Sequence, residues 1–150
     1  MQKGFTLFVA LVVTGTILLI ATGIVNLSVR QSFISGASRD SQAAFYAADT
    51  GMECALFWDI RNPSGQSAFA TTTGSIIHCN KDAANQNNQW VVGGAAVSTI
   101  EPITFLPDPY CAKVVVTKSQ SGTTLIESYG YNNCDPTNPR RVERAVRADY

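Results

Sequence analysis

Residues 5–27 read FTLFVALVVTGTILLIATGIVNL, an unbroken stretch of 23 residues without one charged side chain. At ~1.5 Å per residue a helix of this length crosses the ~30 Å hydrocarbon core of a bilayer. This run constrains the chain more than any other feature, because it assigns the first part of the sequence to an apolar medium. Of the 150 residues, little more than a hundred then remain for a water-exposed fold, enough for one small domain. Met1, Gln2, Lys3 and Gly4 precede the run, and no small-x-small cleavage box follows it, so the span is expected to stay with the protein. Lys3 and the terminal amine favour a cytoplasmic N-terminus, whereas Arg30 and Arg39 weaken that bias. The cysteines favour an exported C-terminal part.

Cys54, Cys79, Cys111 and Cys134 all lie beyond the span. No CxxC pair occurs and only His78 could add an imidazole, so zinc is not indicated, and disulfides in an oxidising compartment are. Three complete pairings are possible. The favoured one joins Cys111 to Cys134, which flank a hairpin at its open end, and Cys54 to Cys79, which staples the first loop to a helix. Eleven basic and eleven acidic residues give a formal charge of zero, so no bulk field draws the chain to nucleic acid or anionic lipid.

The leader carries a resemblance. Lys3-Gly4-Phe5-Thr6-Leu7 resembles the processing site of type IV prepilins, in which a short basic leader ends in glycine before a mature chain that starts with phenylalanine. The stretch Ala43-Ala44-Phe45-Tyr46-Ala47-Ala48-Asp49-Thr50-Gly51 is similar to X-type minor pilins and to the K-type minor pseudopilin of type II secretion. Ser128-Tyr129-Gly130-Tyr131 and Arg140-Arg141-Val142-Glu143-Arg144 resemble their closing strands. The resemblance implies cleavage between Gly4 and Phe5 by a prepilin peptidase, N-methylation of Phe5, and assembly with other pilin subunits on an inner-membrane platform. It also implies passage from a single-pass membrane protein to a pilus at the cell surface. Val9 stands where most major pilins carry a glutamate that pairs with the amine of a neighbouring subunit. A charge in a membrane is costly and is kept for a function, so this departure implies a minor subunit, initiating or near the tip. The alternatives are a pseudopilin of a type II secretion system and a signal-anchored surface domain that does not assemble.

The expected fold is α+β, a pilin-like long N-terminal helix packed on a small antiparallel sheet. Residues 1–4 form the leader, 5–27 the membrane and assembly half of the helix, 28–60 its extracytoplasmic half, and 61–150 a loop-rich head. Ala44, Ala47, Ala48, Gly51, Ala55 and Trp58 share one helical stripe, which predicts one helix from near Phe5 to near Trp58. Gly15, Gly23 and Gly36 lower helix propensity by about 1 kcal/mol each and serve either bending or close packing. Residues 62–88 are rich in Ser, Thr, Gly, Asn and Gln and read as loop, opened by the turn Asn62-Pro63-Ser64-Gly65. Strands are expected at 89–92, 113–118, 124–131 and 141–150, with Ser119-Gln120-Ser121-Gly122 turning the hairpin.

Chemistry is not indicated. His78 has no Ser/Asp or Cys/Asp arrangement around it and reads as a loop histidine. Asp49 and Glu53, four apart, read as carboxylates on a solvated helix rim. Asp108, Asp135 and the Asn-rich loop match no calcium loop. Arg140, Arg141, Arg144 and Arg147 read as charge protecting an edge strand ahead of a phosphate-binding patch. No enzyme activity, metal or cofactor is expected, and membrane lipid and other subunits are the partners.

Overall fold

The computed structural model describes residues 3–120 and 122–150, so Met1, Gln2 and Ser121 lie outside the described residues. One helix, α1 (Lys3–Ile60), is followed by β1 (Gly74–His78), β2 (Gln89–Gly93), β3 (Val97–Thr104), β4 (Cys111–Lys118), β5 (Thr124–Tyr131) and β6 (Glu143–Asp149). The architecture is α+β, with a long N-terminal apolar helix and antiparallel sheets. The chain divides into two compact units, one ending at Ser38 and the other running Arg39–Tyr150.

In the first unit the large apolar side chains lie exposed along the helix, from Phe5 (72 %) through Leu19 (74 %) to Phe33 (73 %). Such exposure is unfavourable in water at ~25 cal/mol per Å² and suits lipid or the apolar faces of other helices. Three threonines of the span agree with that environment. Thr14 donates to the Ala10 carbonyl at 2.8 Å, Thr16 to that of Val13 at 2.9 Å, and Thr22 to that of Leu19 at 2.9 Å. Each hydroxyl is thus satisfied by its own helix, the condition hydrocarbon imposes on polar groups.

In the second unit α1 turns its small-residue stripe inward, with Ala44, Ala47, Ala48, Met52 and Ala55 buried. They face a four-stranded antiparallel sheet of order β3-β4-β5-β6. Ala112 opposes Gly130, Val114 opposes Ser128 and Val116 opposes Ile126 across β4 and β5, and all of these alternate residues are buried. Small residues bring helix and sheet together. A Cβ at Gly130 would sit 2.0 Å from the Ala44 carbonyl oxygen and 2.3 Å from the Ala48 nitrogen, and one at Gly51 would sit 2.6 Å from Ser128 Oγ. Ser128 Oγ donates to the Ala48 carbonyl at 2.6 Å, so the one buried hydroxyl at this contact is paired.

The sequence reading differs from the structure at several elements. Residues 62–88, expected as loop, contain β1, which pairs with β2 in a separate two-stranded sheet. Its strand signal is weak because only Ile77 of its five residues is buried. The same stretch supplies the core with Phe69, fully buried, held by bonds from Ala68 N to the Trp58 carbonyl and from Phe69 N to Ser67 Oγ, each 3.0 Å. Strand β3 is absent from the expected set. Pro102 interrupts it, and its ladder with β4 shifts register between Ile100 and Ile103, tolerable because β3 is an edge of the four-stranded sheet. Strand β6 begins at Glu143, two residues later than expected, because Asn132 Oδ1 takes the Val142 N–H at 2.7 Å. The β4–β5 turn closes with Ser119 N on the Thr123 carbonyl at 2.9 Å and Gly122 at φ 91°. Its expected residue Ser121 lies outside the described residues.

Gly130→Ala is expected to cost about 3 kcal/mol or more, since the added carbon meets helix backbone and has no rotamer to escape into. Gly36→Ala, with nothing within 4 Å of the new carbon, should be neutral or slightly stabilising. Urea unfolding of the full chain in detergent, followed by tryptophan fluorescence, distinguishes the two.

Candidate functional site

Two regions hold the candidate residues, and each belongs to one unit. In the first, Phe5 is 72 % and Val9 is 41 % exposed on a helix that is long and apolar enough to cross a membrane. The Gly4 side of the processing position falls within the described backbone, but Met1 and Gln2 of the leader do not. Val9 brings no charge to the span, so no carboxylate is desolvated there. The surface offered is one of dispersion and apolar contact along its length.

In the second unit a polar cluster closes the far end of α1. Asp59 lies four residues after Ala55 on the buried stripe, and its side chain is 2 % exposed. Lys118 Nζ, from the end of β4, reaches both of its oxygens at 2.7 Å and also Thr124 Oγ1 at 2.7 Å. Ser67 Oγ donates to Asp59 Oδ1 and the Tyr150 hydroxyl to Asp59 Oδ2. One carboxylate therefore ties the helix end, the following loop, the β4–β5 hairpin and the last residue. Burial opposes ionisation of Asp59 and is the largest single influence, but the bonds from Lys118, Ser67 and Tyr150, with the Lys118 charge, outweigh it and hold the carboxyl below its usual range. Burial, followed by the bond to that anion and its charge, raises the Tyr150 phenol. A fully bonded anion with a raised phenol is a tie, with no free acid or base for catalysis.

The cysteines form two bridges. Cys54 of α1 is bonded to Cys79, with Cα atoms 5.8 Å apart, and Cys111 of β4 to Cys134, with Cα atoms 5.5 Å apart. Beside the first, the Trp58 indole donates to the His78 carbonyl at 3.0 Å and its ring meets the His78 ring edge-on at 5.2 Å. His78 thus stands at the end of strand β1, not in a loop as expected, and packs on an aromatic ring.

The other residues singled out from the sequence are dispersed. Asp49 is half-buried and Glu53 exposed on α1, and Asp108 and Asp135 are exposed. Asp135 caps its own turn by accepting from Thr137 N at 2.8 Å and Thr137 Oγ1 at 2.7 Å. Among the described residues no group of three His, Cys, Asp or Glu side chains converges as a metal site would. The arginines do not make one strand. Arg140 and Arg141 precede β6, the Arg141 guanidinium lies 3.8 Å from the centre of the Tyr131 ring, and Arg144 Nε donates to Ser41 Oγ at 2.9 Å. Two of the four are thereby engaged on the protein.

The comparison with known families adds one match. Residues 3–53 fit a family model described as PilX N-terminal, which supports a type IV pilin-like N-terminal segment. No curated protein and no solved structure matches the chain.

Lys118→Met should destabilise the protein by about 3 kcal/mol, because it leaves the buried Asp59 charge without its cation. The tie also predicts an acid limit. A carboxyl whose folded pKa is depressed contributes stability that is complete above its unfolded value of ~3.9 and fades as pH falls through the folded one. Unfolding midpoints between pH 7 and pH 2 should fall below about pH 4 in the native chain. That fall should be smaller in Asp59→Asn, which starts from a lower plateau.

Proposed function

We propose that the chain is a structural subunit of a type IV pilus-like filament, acting by assembly and not by catalysis. The observation that carries this reading is the coincidence of the PilX N-terminal match over residues 3–53 with a helix whose residues 5–34 leave their large apolar side chains exposed. A surface of that kind has two stable environments, a bilayer and a bundle of similar helices, and a pilin occupies them in turn. Within this reading a prepilin peptidase cuts between Gly4 and Phe5 and the new amine of Phe5 is methylated. The cut removes Lys3, the one charged side chain ahead of the span, and leaves the helix able to leave lipid.

Val9 supports a minor subunit at or near the initiating tip. A carboxylate at that position would serve to dock one subunit behind another, and a subunit that nothing precedes has no use for it. The same departure occurs in the K-type pseudopilin, so a place in a type II secretion filament is the second reading. Both assign the partners as other pilin-like subunits, the peptidase, membrane lipid and an inner-membrane assembly platform, and both put the second unit outside the cytoplasm, where its two disulfides are stable.

Mass spectrometry of the mature N-terminus tests the processing step. The expected product begins at methylated Phe5 in cells with the peptidase and retains Lys3 in cells without it; an uncut chain in both would leave a plain membrane-anchored domain. Position is tested by Val9→Glu. The native chain should label filament ends, and the glutamate variant should spread along the shaft; labelling along the whole shaft by the native chain would exclude the tip role.

A further inference from the structure

A groove of about 410 Å³ opens in the second unit between α1 and the loop that joins β3 to β4. From the helix come Arg39, Gln42 and Tyr46, and from the loop Phe105, Asp108 and Tyr110. Its volume falls in the ~300–1,000 Å³ range of small-molecule sites. Tyr46 is 66 % exposed, a large outlay of aromatic surface beside a helix stripe whose neighbour Ala47 is buried, whereas Phe105 and Tyr110 are half-buried.

Of the polar groups lining this groove, the Thr50 hydroxyl donates to the Tyr46 carbonyl at 2.9 Å, and the others are uncommitted. Among the described residues, the side chains of Arg39, Gln42 and Asp108 and the hydroxyls of Tyr46 and Tyr110 have no hydrogen-bond or ion-pair partner. Arg39 and Asp108 line the same groove without pairing, so a ligand that spans them must present acceptors to the guanidinium and donors to the carboxylate. A purely anionic or cationic ligand would satisfy one and be repelled by the other. Neighbouring hydroxyl groups do both, and Gln42 and the two phenols are likewise donors and acceptors. Three aromatic side chains supply flat apolar surfaces for a ligand with a C–H face. A peptide strand is the poorer fit, since strand addition uses an open backbone edge and this groove is lined by side chains of a helix and a loop.

From these features we infer that the groove binds a neutral saccharide, with hydroxyls bridging Arg39 and Asp108 and a ring face against Tyr46 or Tyr110. Only residues of the second unit line the groove, and binding there does not require filament assembly.

The test uses the full chain in phosphatidylcholine nanodiscs, which avoids sugar-headed detergents, with maltose, lactose and N,N′-diacetylchitobiose as probes in saturation-transfer NMR. At least one probe should receive saturation on its ring C–H protons. Tyr46→Ala and Asp108→Asn should each weaken its binding tenfold or more. Both side chains are exposed, so thermal melts of the two variants should match the native chain. Absence of transfer to all three probes overturns the inference, as does transfer that both substitutions leave unchanged. Groove residues that become protected with rising protein concentration, and by none of the sugars, would reassign the groove to contacts between copies and overturn it as well.

Discussion

Where Gly130 of β5 meets the backbone of α1 at Ala44 and Ala48, there is no room for a side-chain carbon. The second unit is built outward from that contact. Helix and sheet approach so closely that Ser128 can bond directly to a helix carbonyl, and the larger side chains of the core, Phe69, Ile77, Ile100, Ile103 and Ile126, form one buried cluster with Met52 and Ala55 of the helix. Small residues on the helix and bulky ones on the strands and the following loop let a single helix serve as the core wall of a domain of little more than a hundred residues.

At the far end of α1, burial of Asp59 would be prohibitive without its cation. The cluster resolves this by drawing partners from Ser67, Lys118 and Tyr150, which lie 8, 59 and 91 positions away in sequence. The same carboxylate thereby adds directional ties between segments that also meet in the apolar cluster, through Trp58, Phe69, Val116 and Ala148. The Cys54–Cys79 bridge and the Trp58 bond to the His78 carbonyl tie the two-stranded sheet to the neighbouring turn of the helix, and Trp90 Nε1 on the Glu101 carbonyl and Gly93 N on Ser98 Oγ tie it to β3. Non-directional core contacts and directional ties divide the work, the former supplying most of the stabilisation and the latter selecting one arrangement.

Elements with long, regular patterns were legible in the sequence. The helix announces itself by 23 uncharged residues and then by a stripe of small ones, and the strand expected at 124–131 coincides with β5, whose residues alternate between buried and half-buried in the structure. Strand β1 was not legible because one buried isoleucine in five residues cannot outweigh a background of Thr, Ser and Asn, and β3 because Pro102 breaks its alternation. The polar cluster and the aromatic groove depend on contacts between distant segments, for which no local pattern exists. One signal was present for the first, since Asp59 continues the buried stripe at Ala55 plus four, and an acid in that place demands a partner. The leader motif was legible as a resemblance, and its residues Met1 and Gln2 lie beyond what the structure describes.

The two disulfides enclose stretches that follow one another without overlap, separated by 25 and 23 positions. A chain pulled from α1 toward its last strand would carry tension through Cys54 into Cys79 and through Cys111 into Cys134, bypassing both enclosed segments. At roughly 3.3–3.6 Å per extended residue, on the order of 160 Å of contour is withheld from stretching. The bypassed segments include β1 and the whole β4–β5 hairpin, so the innermost hairpin of the four-stranded sheet is shielded from load while the outer strands β3 and β6 are not. Under traction the fold would shed its margins first and keep its centre.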